Sequence, residues 1–363
     1  MEWAKLRSAA RYNLATSGMA GFPLADLGVS IEQLEINGSA NNYGYGPLLE
    51  AIARRYRVPG ECVVSAMGTS LANYLALAAA TEPGDEILIE QPTYDPLLSV
   101  ARYLGLEVRR FQRLAEHNFD IDLNDLERNL TPRTRVIVLC NLHNPSGALT
   151  PDVTLREIAQ LAHTSGAFVM VDEVYREMLF EAEPQTAFHV DPERFLITDS
   201  LTKAYGLSGL RCGWVLAPQP LAARMWRIHD IHSGTYSYPA ELLSTAAFAR
   251  LSGISARMKA MLDENRSLLR EFLASRSNND LEYFWPEYGT IVFPRLKVGN
   301  VDALSELLRR DFETTIVPGR FFECPDRFRI GVGGETESVR ESLRQLARGL
   351  DRFGESPDRR DRA

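Results

Sequence analysis

Lys203 is the residue whose type and position most directly suggest chemistry. It ends the segment Ser200-Leu201-Thr202-Lys203, just after the apolar run 195–198, and Arg211 lies eight positions further on. Lysine is rarely buried without a partner or a function. A low-dielectric pocket with a nearby cation lowers the pKa of an amine toward neutrality, and only the neutral amine is a nucleophile. We therefore expect Lys203 to hold an aldehyde as a Schiff base, which is how proteins bind pyridoxal 5'-phosphate.

Two further groups at strand ends suit the ring of that cofactor. Asp172 directly follows the apolar run 168–171, where a carboxylate is costly unless it meets a cation or a strong donor. A protonated pyridine nitrogen would serve, and it keeps the ring able to accept a carbanion at the substrate Cα. Tyr175 lies three residues later and could reach the 3-oxygen of the ring. Asn144, presented by the Pro-Gly loop after the run 135–140, could reach the same oxygen.

The remaining candidates suit a stacked ring and a bound phosphate. Tyr94 follows another strand and could lie flat against an aromatic ring. Thr69 and Ser70 follow Gly68 at the start of a predicted helix, where free N–H groups and the helix dipole bind anions. Ser200 adds a hydroxyl, and Arg211 can bind phosphate oxygens in a bidentate manner.

Elements of an α/β sheet are expected to position these residues. Short apolar runs rich in β-branched residues indicate strands covered on both faces, and they fall at residues 86–89, 135–140, 167–171, 195–198 and 213–217. Helical patterns such as 70–80 and 154–164 separate them, so a mainly parallel sheet is predicted. Ligands bind beyond the carboxyl ends of such strands.

The length of 363 residues suggests two domains. We predict an N-terminal segment (1–40) that joins the small domain and covers the active site, and a large cofactor-binding domain (41–245). A small C-terminal domain (246–353) and a polar, disordered tail (354–363) follow.

Composition excludes several other classes of protein. The formal net charge of −8 disfavours nonspecific nucleic-acid binding. The four cysteines show no CxxC spacing, so neither zinc nor a disulfide framework is expected, and reduced cytoplasmic thiols are favoured. The N-terminus has no signal-peptide pattern, and no apolar run approaches a membrane span.

Together these residues resemble the fold type I, aspartate-aminotransferase-like family of pyridoxal phosphate enzymes, in order over about residues 12 to 350. The segments that carry the resemblance are Gly68-Thr69-Ser70, Pro92-Thr93-Tyr94, Asn144-Pro145-Ser146-Gly147, Asp172-Glu173-Val174-Tyr175, Ser200-Leu201-Thr202-Lys203, Arg211 and Phe328-Arg329-Ile330. Each is weak alone, but their joint order and spacing are specific. The resemblance implies a seven-stranded, mainly parallel sheet flanked by helices, with a smaller α+β domain built from both chain ends.

The resemblance also implies roles and partners. Lys203 would form the Schiff base and move a proton, and Arg329 would bind the substrate α-carboxylate as a bidentate pair. The strip Leu14-Ala15-Thr16-Ser17-Gly18 would close over the substrate, which makes Gly18 a substrate-binding candidate, as Asn144 is. The family works as a homodimer on an amino acid and a 2-oxo acid, without nucleic acid, membrane or metal.

Two features depart from the family pattern. A tyrosine normally reaches the phosphate of the neighbouring subunit, but the segment Asn42-Tyr43-Gly44-Tyr45-Gly46 is shortened, so Tyr43 and Tyr45 compete, with a slight preference for Tyr43. No second arginine for a dicarboxylate side chain can be placed with evidence, although Arg11 and Arg320 are candidates. Aspartate or glutamate as amino donor is therefore not established.

Each residue alone has an ordinary explanation. A lysine after a strand is usually a solvated loop end, Asp172 could cap a helix starting at Glu173, and Arg329 could be an exposed member of an alternating strand. Jointly these explanations would require a separate coincidence at every position.

The sequence therefore predicts an aminotransferase, with two alternatives. A β-lyase or cyclase on the same scaffold would use the same carbanion at Cα to expel a β-substituent. An effector-binding sensor would need a DNA-binding module, and only about forty residues precede the core motifs, too few for a typical domain.

Overall fold

The computed structural model describes residues 2–6, 8–30, 32, 34, 36, 43–181, 183–277 and 280–355 of the chain. The first elements are short: helix α1 (Glu2–Leu6), strand β1 (Tyr12–Asn13) and helix α2 (Leu24–Leu27). Helix α3 (Gly46–Tyr56) follows and leads to the central sheet.

Seven strands form this sheet: β2 (Val63–Met67), β3 (Glu86–Gln91), β4 (Glu107–Gln112), β5 (Thr134–Cys140), β6 (Phe168–Asp172), β7 (Phe195–Ser200) and β8 (Cys212–Leu216). Their order across the sheet is β2-β8-β7-β6-β5-β3-β4. Strand β8 is antiparallel to both neighbours, and the pairs from β7 to β4 are parallel. The predicted mainly parallel sheet is confirmed.

The apolar runs identified the interior strands but not β2 and β4, which lie at the two edges of the sheet. Strand β4 has the sequence Glu-Val-Arg-Arg-Phe-Gln and is largely half-buried. An edge strand is covered less completely, so it needs no continuous apolar run. This partial exposure accounts for the missing apolar run in β4. Strand β2 is buried over residues 63–66 and was missed because Ser65 interrupts its apolar run.

Both faces of the sheet are packed. On β5, Val136 and Val138 belong to one apolar cluster, whereas Ile137 and Leu139 belong to the other. This alternation follows from the two-residue period of a strand. Helices α4 (Thr69–Ala80), α5 (Asp95–Tyr103) and α8 (Gln219–His232) contribute to the first cluster. Helices α3, α6 (Leu123–Asn129) and α7 (Asp152–Ser165) contribute to the second.

The C-terminal part combines helices with short strands. Its elements are α9 (Tyr238–Phe248), α10 (Leu251–Arg276), β9 (Leu281–Glu282), β10 (Ile291–Val292), β11 (Arg295–Leu296), α11 (Val301–Asp311), β12 (Thr314–Thr315), β13 (Val317–Pro318), β14 (Phe328–Gly331) and α12 (Thr336–Glu355). Strand β1 pairs in parallel with β12, so the start of the chain joins its C-terminal part.

The predicted domain boundaries stay predictions. Helix α12 ends at Glu355, two residues beyond the predicted end of the C-terminal domain, and the rest of the predicted tail (356–363) lies outside the described residues. Among the described residues, no helix combines the length and apolar character needed to cross a bilayer.

Candidate active site

The predicted site residues meet because four parallel strands end at one edge of the sheet. Asp172 is the last residue of β6 and Ser200 is the last residue of β7. Tyr94 and Asn144 follow β3 and β5. Parallel strands bring their carboxyl ends to a common edge, where open α/β sheets bind ligands.

A cavity of about 670 Å³ lies at this edge. Most predicted site residues line it: Thr69, Ser70, Tyr94, Asn144, Asp172, Tyr175, Lys203, Arg211 and Arg329. Ser200 lies next to the lining residue Thr69, whose hydroxyl donates to Ser200 Oγ at 2.9 Å. Gly18 lies against Lys203, since a Cβ at position 18 would approach Lys203 Cδ to 3.4 Å.

The Lys203 amine is half-buried and faces the N-terminal strip. Lys203 Nζ donates to Ser17 Oγ at 3.2 Å, and Tyr175 OH donates to the same oxygen at 2.7 Å. Lys203 Nζ also lies 5.9 Å from the centre of the Tyr175 ring. Because Ser17 Oγ accepts both bonds, its own proton remains available to a ligand.

The Asp172 carboxylate is buried and receives two neutral donors. Asn73 Nδ2 donates to Oδ2 at 2.9 Å, and the Val174 N–H donates to Oδ1 at 3.1 Å. Thr198 Oγ1 donates to Asn73 Oδ1 at 2.5 Å, which orients the amide. Burial raises the pKa of Asp172 to about 6, although both donors and the positive charge of Lys203 oppose the shift. A bound cation would stabilise the ionised form further.

An anion cradle surrounds the start of α4. Gly68 caps this helix without a side-chain hydrogen bond, so the first N–H groups can bind a ligand. Ser200 Oγ accepts from Thr69 Oγ1 at 2.9 Å and from the Thr202 N–H at 3.3 Å, which leaves its proton for an anion. Arg211 approaches so closely that a Cβ on Gly68, which has φ +76°, would lie 2.3 Å from its Nη2.

Arg329 is a buried cation whose protein partners are uncharged. Its Nη1 donates to Asn144 Oδ1 at 2.8 Å, and its Nη2 donates to the Ala15 carbonyl at 3.1 Å. Its Nε is buried without a hydrogen-bond partner, and within the described ranges no carboxylate forms a salt bridge with it. The side chain is 7% exposed, so the interpretation of Arg329 as an exposed strand residue is wrong.

The loops that carry Tyr94 and Asn144 are tied together by His143. Its Nε2 lies 2.9 Å from the Pro92 carbonyl, and its Nδ1 lies 2.6 Å from Ser146 Oγ. A carbonyl only accepts, so Nε2 carries the proton and Nδ1 accepts from Ser146. Burial lowers the pKa of His143 well below its ordinary value, which keeps the ring neutral. His143 therefore acts through the loops rather than on a ligand.

Besides Ser200 and Gly18, four sequence candidates lie outside the cavity lining. Tyr43 OH donates to Asp230 Oδ2 at 3.4 Å, so its predicted contact with a neighbouring subunit stays a prediction. Tyr45 packs edge-on against Tyr238. Arg11 and Arg320 pair with the exposed carboxylates of Glu313 and Asp302, respectively.

Sequence reasoning missed Ser17 and Asn73 as individual contributors. Asn73 had a detectable signal, since it follows Thr69 by four positions in the helix and therefore shares its face. Ser17 had none beyond its place in the N-terminal strip, because 186 residues separate it from Lys203.

These features fit pyridoxal 5'-phosphate. The cavity offers an amine, a buried carboxylate, a phenol, and a cradle of hydroxyls and guanidinium at a helix start. The buried Arg329 Nε has no hydrogen-bond partner, which suits a ligand carboxylate. Gly68 lacks a Cβ where Arg211 approaches, which leaves room for an anionic group at the start of α4.

Comparison with known sequences agrees with this geometry. The family described as "Aminotransferase class I and II" matches residues 12–346. Capreomycidine synthase of Streptomyces vinaceus is 31% identical over 305 residues, covering 84% of this chain and 78% of the relative. Arginine–pyruvate transaminase AruH of Pseudomonas aeruginosa is 28% identical over 324 residues, covering 84% and 80%.

Solved structures show the same fold. A PLP-dependent aminotransferase from Streptococcus suis superposes with a TM-score of 0.90 at 26% identity, covering 98% of this chain and 97% of the other. The PLP-dependent cyclase OrfR superposes with a TM-score of 0.86 at 25% identity, covering 97% and 96%. The shared architecture extends over nearly the whole chain.

Proposed function

This chain belongs to the class I and II aminotransferases, and from that premise we propose that it transfers the amino group of an L-amino acid to a 2-oxo acid. One observation carries the proposal: Lys203 and Asp172 line one cavity together with an anion cradle and with Arg329. Among the described residues, no carboxylate forms a salt bridge with Arg329. When bound, pyridoxal 5'-phosphate supplies an electron-accepting ring that stabilises negative charge at the substrate Cα.

Different side chains would hold the ring and the phosphate of the cofactor. Asp172 would hold the proton on the pyridine nitrogen, and Asn144 would donate to the 3-oxygen. Tyr175 would donate there as well once its proton turns from Ser17 Oγ, whose own hydroxyl proton could then be given to the phenol. Asn144 can do so because its Oδ1 is engaged by Arg329, which leaves Nδ2 as the donor. The phosphate would be held by Thr69, Ser70, Ser200 and Arg211, and Tyr94 would stack on the ring.

Arg329 and Lys203 act on the substrate. The guanidinium of Arg329 binds the α-carboxylate in a bidentate manner, using the geometry that makes arginine suited to carboxylates. The free Nζ atom of Lys203 would act as the base that takes the Cα proton of the substrate. Ser17 Oγ lies 3.2 Å from this nitrogen and holds it on the substrate side.

The test compares the two lysines that line the cavity. Purified protein loaded with pyridoxal 5'-phosphate should show an absorbance band near the visible edge, and this band should disappear in Lys203→Ala. Lys5→Ala is the matched control, since Lys5 also lines the cavity and should keep the band. An unchanged spectrum in Lys203→Ala would refute the assignment.

The half-reaction identifies the donor. Mixing the loaded enzyme with single amino acids should convert the band and release a 2-oxo acid. We propose that arginine be tested first, because AruH is named for it and Asp95 lines the same cavity. The Asp95 carboxylate is contacted by Ser99 Oγ at 3.4 Å, and it suits a cationic side chain.

A cyclase is the second candidate, supported by the likeness to the cyclase OrfR. Cyclase or β-lyase chemistry would consume the amino acid without leaving the aminated cofactor. The same experiment separates the two reactions, because a transaminase stops after one turnover without an oxo-acid acceptor. Continued turnover without an acceptor, with ammonia or a cyclic product, would favour the second candidate.

We further propose that the enzyme is a cytoplasmic homodimer. The family resemblance supports the dimer, and the exposed Tyr43 supports a contact across subunits, since 42% of it is accessible in the single chain. Four free cysteines, three of them buried, suit a reducing compartment.

A further inference from the structure

A buried polar cluster supports the Lys203 segment from outside the cofactor cavity. Its members are two acids, two phenols and one guanidinium: Arg55, Tyr56, Glu177, Asp199 and Tyr205. Asp199 is 2% exposed and Tyr205 is 1% exposed. The two residues bracket the Lys203 segment, because Asp199 precedes Ser200 and Tyr205 is two positions beyond Lys203.

Glu177 is ionised, as its hydrogen bonds show. Arg55 Nε donates to Oε1 at 3.0 Å, and Arg55 Nη2 donates to Oε2 at 2.6 Å. Tyr205 OH accepts from Arg55 Nη2 at 2.9 Å and gives its own proton to Glu177 Oε2 at 2.6 Å. Both oxygens of Glu177 are thus held by the two-pronged guanidinium of Arg55, the geometry in which arginine binds a carboxylate, and Tyr205 adds a third donor.

The hydroxyl of Tyr56 lies between the two acids with a single proton to give. It is 2.7 Å from Glu177 Oε1 and 3.0 Å from Asp199 Oδ2. If the proton goes to the ionised Glu177, the contact with Asp199 is a hydrogen bond only when Asp199 donates. The other oxygen of Asp199 accepts from the Ser200 N–H at 2.6 Å.

We propose that Asp199 is a neutral carboxylic acid in the working protein and that it positions the segment carrying Lys203. As an acid it donates to Tyr56 through Oδ2 and accepts from Ser200 through Oδ1, so every contact is satisfied. The proton count makes this assignment independent of the reaction that the enzyme catalyses.

A neutral acid also suits the neighbouring anion cradle. Ser200 contributes a hydroxyl to that cradle and directly follows Asp199. An ionised carboxylate on the residue next to Ser200 would repel a bound phosphate in the low-dielectric interior. The proton on Asp199 removes that repulsion while the hydrogen bond to Ser200 keeps the cradle in place.

The pKa of Asp199 is raised well above its ordinary value, first by burial and then by the charge of Glu177. The titratable groups that face it from the packed elements are Arg55 and Tyr56 on α3, Glu173 and Glu177 after β6, Tyr205 after β7 and Cys212 on β8. Stability from the proton is complete at low pH and is lost as pH rises through the folded-state pKa.

The experiment makes the same acid-to-amide change at both ends of the Tyr56 bridge. Asp199→Asn keeps one acceptor for Ser200 and one donor for Tyr56, so it reproduces the neutral acid. Its Tm should equal or exceed that of the natural protein, with a difference that grows as pH rises. Glu177→Gln removes the counter-ion of Arg55, so it should lower the Tm at every pH and weaken cofactor binding about tenfold.

Infrared spectroscopy tests the natural protein without relying on the folding of a variant. The difference spectrum between natural protein and Asp199→Asn at neutral pH should contain the carbonyl stretch of a protonated carboxyl. A difference spectrum with only carboxylate bands would overturn the proposal. An Asp199→Asn variant as unstable as Glu177→Gln across the pH range would overturn it as well.

Discussion

At the scale of single residues, the site is defined by two buried groups, Asp172 and Arg329, which form no salt bridge with any residue that the structure describes. Within the described part of the chain, Asp172 accepts hydrogen bonds from an amide and a backbone N–H, and Arg329 donates to an amide and a carbonyl. Burying such charges is costly unless a ligand compensates them. The same residues are therefore weak contributors to stability and strong contributors to binding.

Arg329→Ala should raise KM for the amino acid and lower kcat/KM by about a hundredfold, the equivalent of about 3 kcal/mol for a lost bidentate, charge-assisted pair. The cofactor absorbance band should stay, because Arg329 is proposed to bind substrate rather than cofactor. Steady-state kinetics with a saturating oxo acid measure the effect. An unchanged KM would show that the α-carboxylate binds elsewhere.

At the scale of elements, the N-terminal strip connects Lys203 with the C-terminal part. The Leu14 N–H donates to Thr315 O at 2.9 Å, and the Met19 N–H donates to Lys203 O at 2.8 Å. Thr290 Oγ1 donates to Ser17 O at 2.7 Å. A movement of the C-terminal part would therefore be transmitted directly to the residue that holds the Lys203 amine.

Ser17→Ala should lower kcat about tenfold, since one hydrogen bond to the Lys203 amine and one from Tyr175 are lost together. Cofactor affinity should change little, because the phosphate cradle lies on α4 and the Lys203 segment. Ser17→Thr, which keeps the hydroxyl, is the matched control. Equal loss in both variants would point to packing rather than to the hydroxyl.

At the scale of the whole molecule, the proposed dimer would complete the cradle with a residue from a second chain. Tyr43 is exposed, and its ring packs against the Trp226 ring and the Arg227 guanidinium. Tyr45 is committed to Tyr238, and its N–H donates to Glu241. The preference for Tyr43 rests on its exposure of 42%, and its hydroxyl would exchange the contact with Asp230 for one with the neighbour.

Tyr43→Phe should raise the cofactor Kd about tenfold, because a hydrogen bond to a charged phosphate is lost. Tyr45→Phe is the control and should change it little. Sedimentation equilibrium should give the mass of a dimer for both variants. A larger effect in Tyr45→Phe would reverse the assignment, and a monomer with full activity would exclude the shared site.

The sequence alone determined the features that depend on residues close together along the chain. Apolar runs located the five strands that are covered on both faces, and the polar residues after four of them predicted the cavity, because parallel strands must end at one edge. The edge strands β2 and β4 escaped this reasoning, because β4 is largely half-buried and carries two arginines, and Ser65 interrupts the apolar run of β2. Only the tertiary structure brought Ser17 to Lys203 and Tyr56 between Glu177 and Asp199, because long-range contacts and shared protons depend on packing between segments that no local pattern records.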